Sequence, residues 1–290
     1  MKQHKRWLIV TTVLWAAAAA LRWWQLSSAF ETDPRLAIPF APASIALLVL
    51  LIAAAVILAL LARRQTISPD LKEDWGRALC APGDKLYLTG LVLAGFLALA
   101  AGAAFLRQGI GLFRQYLAIR AQGGDLAGKN NGLLRLLTGA AAIALCPALI
   151  AAGRDALRGR RGGGPLRIGV ICGCLWMMDS YRGHAADPVR WDYVPLILAV
   201  ATGTLCFLSW YGLSCGTSRP RRTLWLAGMT VILSAAAMVE EGSLGAVLLL
   251  AAQAFAGLSL LYRLPRNLND PPELPEEPRP EETMEDEPHA

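Results

Sequence analysis

Pro42-Ala-Ser-Ile45-Ala-Leu-Leu-Val-Leu-Leu-Ile-Ala-Ala-Ala-Val-Ile-Leu-Ala-Leu-Leu61-Ala62 decides the fold. From Ile45 through Leu61 it carries no polar side chain. A helix of about 20 apolar residues matches a hydrocarbon layer of roughly 30 Å, and in lipid only a helix or a closed barrel satisfies its own backbone. The prolines at 39 and 42 stand just before or at the start, where a missing N–H costs least. This stretch reads as a transmembrane helix.

Seven more stretches follow the same pattern. The first, Trp7 to Leu21, is opened by Lys2, Lys5 and Arg6 and closed by Arg22, Trp23 and Trp24. Its basic start resembles a secretory leader, but a cleavage site would have to follow two tryptophans, so a retained anchor is expected. The third runs from Leu86 to Leu106 and the fourth from Leu133 to Ala152, with Pro147 inside it as a source of a kink. Next come Leu166 to Met178, which is short, Val194 to Leu213, Thr223 to Val239, and Ser243 to Tyr262. The fold class expected is all-α: a polytopic bundle of eight spans over residues 1–265, or seven if 166–178 does not cross.

Composition agrees. Hydrophobic residues make up 55% of the 290 and charged residues 17%, against about 25% charged in soluble domains. The charge is unevenly placed: residues 266–290 hold two basic and nine acidic residues, the rest of the chain 26 and 13. Lys and Arg in short connections set orientation. Arg63, Arg64, Lys72, Arg77 and Lys85 fall in the second connection, and Arg154, Arg158, Arg160, Arg161 and Arg167 in the fourth. Arg219, Arg221 and Arg222 fall in the sixth. By alternation these share one side with both termini, which should be the cytoplasm of a bacterium. The basic balance is thereby explained by the lipid bilayer, and no nucleic-acid partner is expected.

One connection departs from the rule. Arg107, Arg114, Arg120, Lys129 and Arg135 lie on the opposite, outer side by the same count. Ile110, Phe113 and Leu117 recur there at helical intervals between the arginines, the pattern of a helix lying in the membrane interface. The carboxyl end reads Pro271-Pro-Glu-Leu-Pro-Glu-Glu-Pro-Arg-Pro-Glu-Glu282. Proline with like charge cannot build a core, so 266–290 is expected to be a disordered cytoplasmic tail that could dock a partner.

Candidate chemistry is sparse. Cys172-Gly-Cys174 on a helix would aim two sulfurs at different faces, and His4, His184 and His289 make no ligand set. No metal, cofactor or catalytic set is expected. No phosphate-cradling loop precedes a lysine, and no span carries a row of arginines or buried acids. The most polar neighbourhood is Asp179-Ser-Tyr-Arg182-Gly-His184-Ala-Ala-Asp187-Pro-Val-Arg190. Asp179 follows Trp176-Met-Met at a depth where a carboxylate needs a partner, and Arg182 is its expected partner. Arg22 and Gln25 close the first helix, and Glu240 and Glu241 occupy the turn between the last two spans. All eight of these residues should lie on the outer side, either as one acid-and-arginine cluster or each facing water.

The chain also resembles a class of uncharacterised multi-pass membrane proteins of anaerobic Gram-positive bacteria. The likeness rests on Leu21-Arg-Trp-Trp-Gln-Leu26 with Phe30 and Asp33, and on Cys174-Leu-Trp-Met-Met-Asp-Ser-Tyr-Arg182 followed by Asp187-Pro-Val. It rests also on Tyr193, Trp210-Tyr211 and Ser218-Arg-Pro-Arg-Arg-Thr223, and covers most of 7–265. The resemblance implies about eight spans and supplies no activity. The function expected is a non-enzymatic structural, regulatory or partner-binding membrane protein. A small permease, or the membrane subunit of a transporter, is the alternative.

Overall fold

The computed structural model describes residues 3–31, 36–71, 74–124, 132–160, 163–184, 193–240 and 242–272. Eight α-helices account for most of them: α1 (Gln3–Ser28), α2 (Pro42–Arg63), α3 (Lys85–Ala121), α4 (Leu133–Leu157), α5 (Arg167–His184), α6 (Val194–Ser214), α7 (Pro220–Met238) and α8 (Leu244–Asn269). No strand occurs among the described residues; the extended pairing there is a single bridge between Phe30 and Ala37.

Six of the helices, α1, α2, α3, α4, α6 and α8, are long and apolar enough to cross a membrane. They mark the chain as a membrane-embedded protein. Large apolar side chains stand exposed along them, among them Ile45, Leu48, Ile52 and Val56 on α2 and Leu93 and Phe96 on α3. An apolar surface of that extent needs lipid rather than water around it.

The other two helices are polar for reasons visible in the packing. In α7, nearly every residue from Thr223 to Ala237 is buried, because α1, α2, α6 and α8 surround it. A helix that meets only protein has no need of an apolar exterior. Of its five hydroxyl and basic side chains, Thr223, Thr230 and Ser234 are buried and only Arg221 and Arg222, at its start, are exposed. Helix α5 packs between α4 and α6 and carries Arg167, Asp179 and Arg182. A 3-10 turn, Gly164–Leu166, leads directly into it. Together they extend roughly 30 Å at helical rise.

Helices α3 and α4 form the tightest pair. Without a hydrophobic drive between helices in lipid, close approach of small residues holds them together. Gly95, Gly102 and Gly109 recur every seventh residue along α3 and meet Cys146, Gly139 and Leu136 of α4. A Cβ on Gly102 would lie 2.7 Å from the carbonyl oxygen of Gly139 and 2.9 Å from the nitrogen of Ile143.

Both described chain ends lie at one end of the bundle, called here the terminal end. There the Trp7 indole donates to Gln65 (3.2 Å), whose amide donates to the carbonyl of Pro265 (3.1 Å). The segment between α2 and α3 is folded against α8 by Arg263, which pairs with Asp84 at 3.0 Å and donates to the carbonyl of Cys80. Asn267 donates to the carbonyls of Ala78 and Cys80. The bundle therefore extends further than the expected boundary at 265. Helix α8 continues through Pro265 to Asn269 with Asn267 and Leu268 buried, because their partners lie in the 64–84 segment rather than in α8. The acidic tail from residue 273 onward lies outside the described residues.

A second correction concerns the third span. Leu86 to Leu106 and the arginine-bearing stretch after it are one helix of 37 residues, about 55 Å long. The helix passes its last tight contact with α4 at Gly109, where Gly132 approaches. From Gly111 to Ala121 its residues are mostly exposed and stand beyond the bundle.

Candidate functional site: a polar belt at the far end

At the end opposite the termini, polar side chains from five helices and one turn join in two arms. The first arm starts on α2, where Ser44 accepts from the Gln25 amide at 2.9 Å. Gln25 in turn accepts from Arg22, one helical turn earlier on α1. Arg22 also forms an ion pair with Glu240, in the turn between α7 and α8. Arg22 is only 1% exposed. A guanidinium enclosed among helices must be paired and hydrogen-bonded, and Gln25 and Glu240 supply that.

The second arm leaves the same turn three residues later. Ser243, directly before α8, accepts from the Gln108 amide of α3 at 3.1 Å. The Gln108 carbonyl oxygen accepts from Arg135 at 3.2 Å. Arg135, in the first turn of α4, pairs through Nε with Asp179 at 2.8 Å. The same guanidinium lies 5.8 Å over the Phe105 ring, which packs edge-on against Trp176 at 6.1 Å. Thus Arg135 is fixed from three sides, by a carboxylate, a carboxamide and a ring face.

The expected cluster exists in part. Arg22, Gln25 and Glu240 are in direct contact, and Asp179 joins the same belt through Arg135, Gln108 and Ser243. The expected Asp179–Arg182 pair does not form. Asp179 is 1% exposed and turned toward α4, where Arg135 holds it, while Arg182 is exposed one turn further out. Arg135 is accordingly a bundle residue, not a free basic residue of a loop, which removes one of the arginines that broke the charge rule. Asp187, Arg190 and Glu241 lie outside the described residues.

Gln108, Ser243 and Ser44 had no signal in the sequence; each is an ordinary polar residue near a helix end, and only the neighbours give it a role. Asp179 Oδ1 is enclosed and accepts no hydrogen bond. Among the described residues no group of three His, Cys, Asp or Glu side chains could hold a metal ion. Among the described residues the belt pairs bases with acids and carboxamides. Its chemistry is mutual restraint of helices.

Around this end Trp23, Trp24, Phe40 and Tyr181 stand exposed. Aromatic rings of that kind favour the headgroup level of a bilayer. Compared with known proteins, the chain matches no family model, and no curated protein or solved structure aligns with it significantly.

Proposed function

We propose that the chain is an eight-span protein of a bacterial cytoplasmic membrane, of the class it resembles, with both termini in the cytoplasm. It acts without catalysis, as a structural or regulatory body that engages a partner protein through its outer loops or acidic tail. The observation that carries this reading is how the belt and the terminal end use their charges. The three ion pairs among the described residues, Arg22–Glu240, Arg135–Asp179 and Arg263–Asp84, all tie elements of the bundle together. The α3 extension, in contrast, holds Phe113, Arg114 and Leu117 beyond the bundle. A rigid body with a projecting amphipathic helix suits a docking role.

The orientation is supported by Arg63, Arg64, Arg77, Arg158, Arg160, Arg219, Arg221 and Arg222, which cluster toward the terminal end. Helices α5 and α7 support the count of eight, since each connects one end of the bundle to the other. A photoreactive residue at Leu117 is expected to give a discrete cross-linked species in native membranes. A cysteine placed at Gly111, which has open space around it, should react with an impermeant maleimide in intact cells, whereas Cys215 should react after permeabilisation. Labelling of Cys215 alone in intact cells would invert the topology and sink the reading.

The permease alternative keeps one observation in its favour. Gln253 Oε1, Ser234 Oγ and Thr11 Oγ1 are buried on α8, α7 and α1 without hydrogen-bond partners. A solute path would use such atoms. Proteoliposomes made with the pure protein that pass small polar solutes would favour this reading over the docking role.

A further inference from the structure

We infer that the α6–α7 hairpin is a binding site for an anionic phospholipid. The evidence is a groove of about 640 Å³ whose lining changes character along its length. Toward the middle of the bundle its wall is Leu205 and Leu208, both exposed on α6. Leu205 lies nine residues before Ser214, about 14 Å inward along the helix axis. Toward the terminal end the wall becomes Tyr211, Ser218, Arg219 and Arg222. An apolar wall that ends in hydroxyls and guanidinium groups has the polarity sequence of a phospholipid, acyl chain first and phosphate last.

Charge complementarity fixes the sign of the occupant. Arg219 and Arg222 are exposed and neither is ion-paired among the described residues. Arg167 adds a third cation, 6.0 Å over the Tyr211 ring on the same wall. A second groove of about 830 Å³, lined by Trp75, Pro220 and Arg221, adjoins the first through the shared Arg219 and Arg222. Helix α7 starts at this point with Pro220 in its first turn, so the positive end of its dipole adds to the field of the arginines. The hydroxyl of Ser218 is held by Ser209 (2.8 Å), which also bonds Thr223 (2.8 Å), so the polar lip is braced from inside. Basic pockets between helices at a membrane boundary recognise phosphate headgroups. The groove is open toward lipid along α6, which lets such a molecule enter sideways.

This inference needs the bundle to lie in a bilayer; it does not depend on the proposed partner or on which side the termini face. The test uses the full-length protein in nanodiscs of phosphatidylcholine with a minority of phosphatidylglycerol, and counts retained lipid by native mass spectrometry. Wild type should retain phosphatidylglycerol selectively. The Arg219→Ala/Arg222→Ala protein should retain it about thirtyfold less, at roughly 1 kcal/mol per lost cation. Both arginines are exposed, so the bundle should persist, and unchanged melting in detergent would verify that. Arg107→Ala/Arg114→Ala removes the same charge at the other end and should leave retention unchanged. Equal retention in the Arg219/Arg222 variant, or an equal loss in the Arg107/Arg114 variant, would overturn the site. Displacement of the lipid by inorganic phosphate alone would also overturn it, since that marks an ion site with no use for the apolar wall.

Discussion

At Arg22 a single side chain decides how two helices and a turn meet. It is almost wholly enclosed and bonded to Gln25 and Glu240, and Gln25 carries the connection on to Ser44. Removing one member of a buried pair leaves the other charge without compensation, at about 3–5 kcal/mol. Arg22→Ala should therefore lower the unfolding free energy in mixed micelles by about that amount. The double variant Arg22→Met/Glu240→Leu should lose less than the sum of its singles, because it leaves no orphaned charge. A strictly additive cycle would show that the pair is not coupled. The second arm gives a sharper contrast. Arg135 holds Asp179 and lies over Phe105, whereas Arg182 is exposed. Arg135→Ala should lower the melting temperature clearly, while Arg182→Ala should stay within about 0.5 kcal/mol of wild type, as surface changes usually do. Comparable losses at the two positions would contradict this account of the belt. The sequence pointed to Arg182 because three residues is one turn of helix. That spacing ignores which side of α5 the carboxylate occupies, and α4 is where it goes.

Elements show the same division between local and distant causes. The start and end of α2 and α6, and the start of α4, agree closely with their apolar runs, since lipid selects on composition alone. The seven-residue glycine spacing of α3 is written in the chain as well, but it becomes meaningful only against Gly139 and Cys146 of α4. Gly102→Leu should separate these helices, since its first added carbon already meets the Gly139 carbonyl at 2.7 Å. The expected result is a protein that no longer survives purification in mild detergent, with Gly111→Leu, facing open space, as the unaffected companion. Loss of both would mean that added apolar bulk anywhere on α3, rather than its packing against α4, is at fault. The length of α3 was hidden for a related reason. The apolar run ends at Leu106, yet nothing there breaks a helix, so the backbone continues through Arg107 and Arg114 until Gly123 adopts a positive φ of 70°. Composition marks where lipid ends, and turn chemistry marks where the helix ends.

For the whole molecule, restraint is concentrated at the two ends. At the far end the belt links α1, α2, α3, α4 and α5 through the turn between α7 and α8. At the terminal end the 64–84 segment is held to α8 by Arg263 and Asn267 and to α4 by the Ala81 amide, which donates to the carbonyl of Ala156 at 2.8 Å. Between them α7 is enclosed by its neighbours, and Trp225 donates from it to the Ala55 carbonyl of α2 at 2.9 Å. A bundle tied at both ends should behave as one body. Beyond that body stand the α3 extension and the groove beside Arg219 and Arg222, and these are the surfaces left for other molecules.

From the residues alone came the medium, the helices and most of their limits. Lipid imposes those features on each segment separately, through length, hydropathy and the placement of charge, so one segment at a time suffices to read them. The partner of Asp179, the join between Arg22 and Glu240, the enclosure of α7 and the course of α8 past Pro265 depended on the tertiary structure. Each is a meeting of side chains far apart in the chain, and no periodicity within one helix records which neighbour will face it.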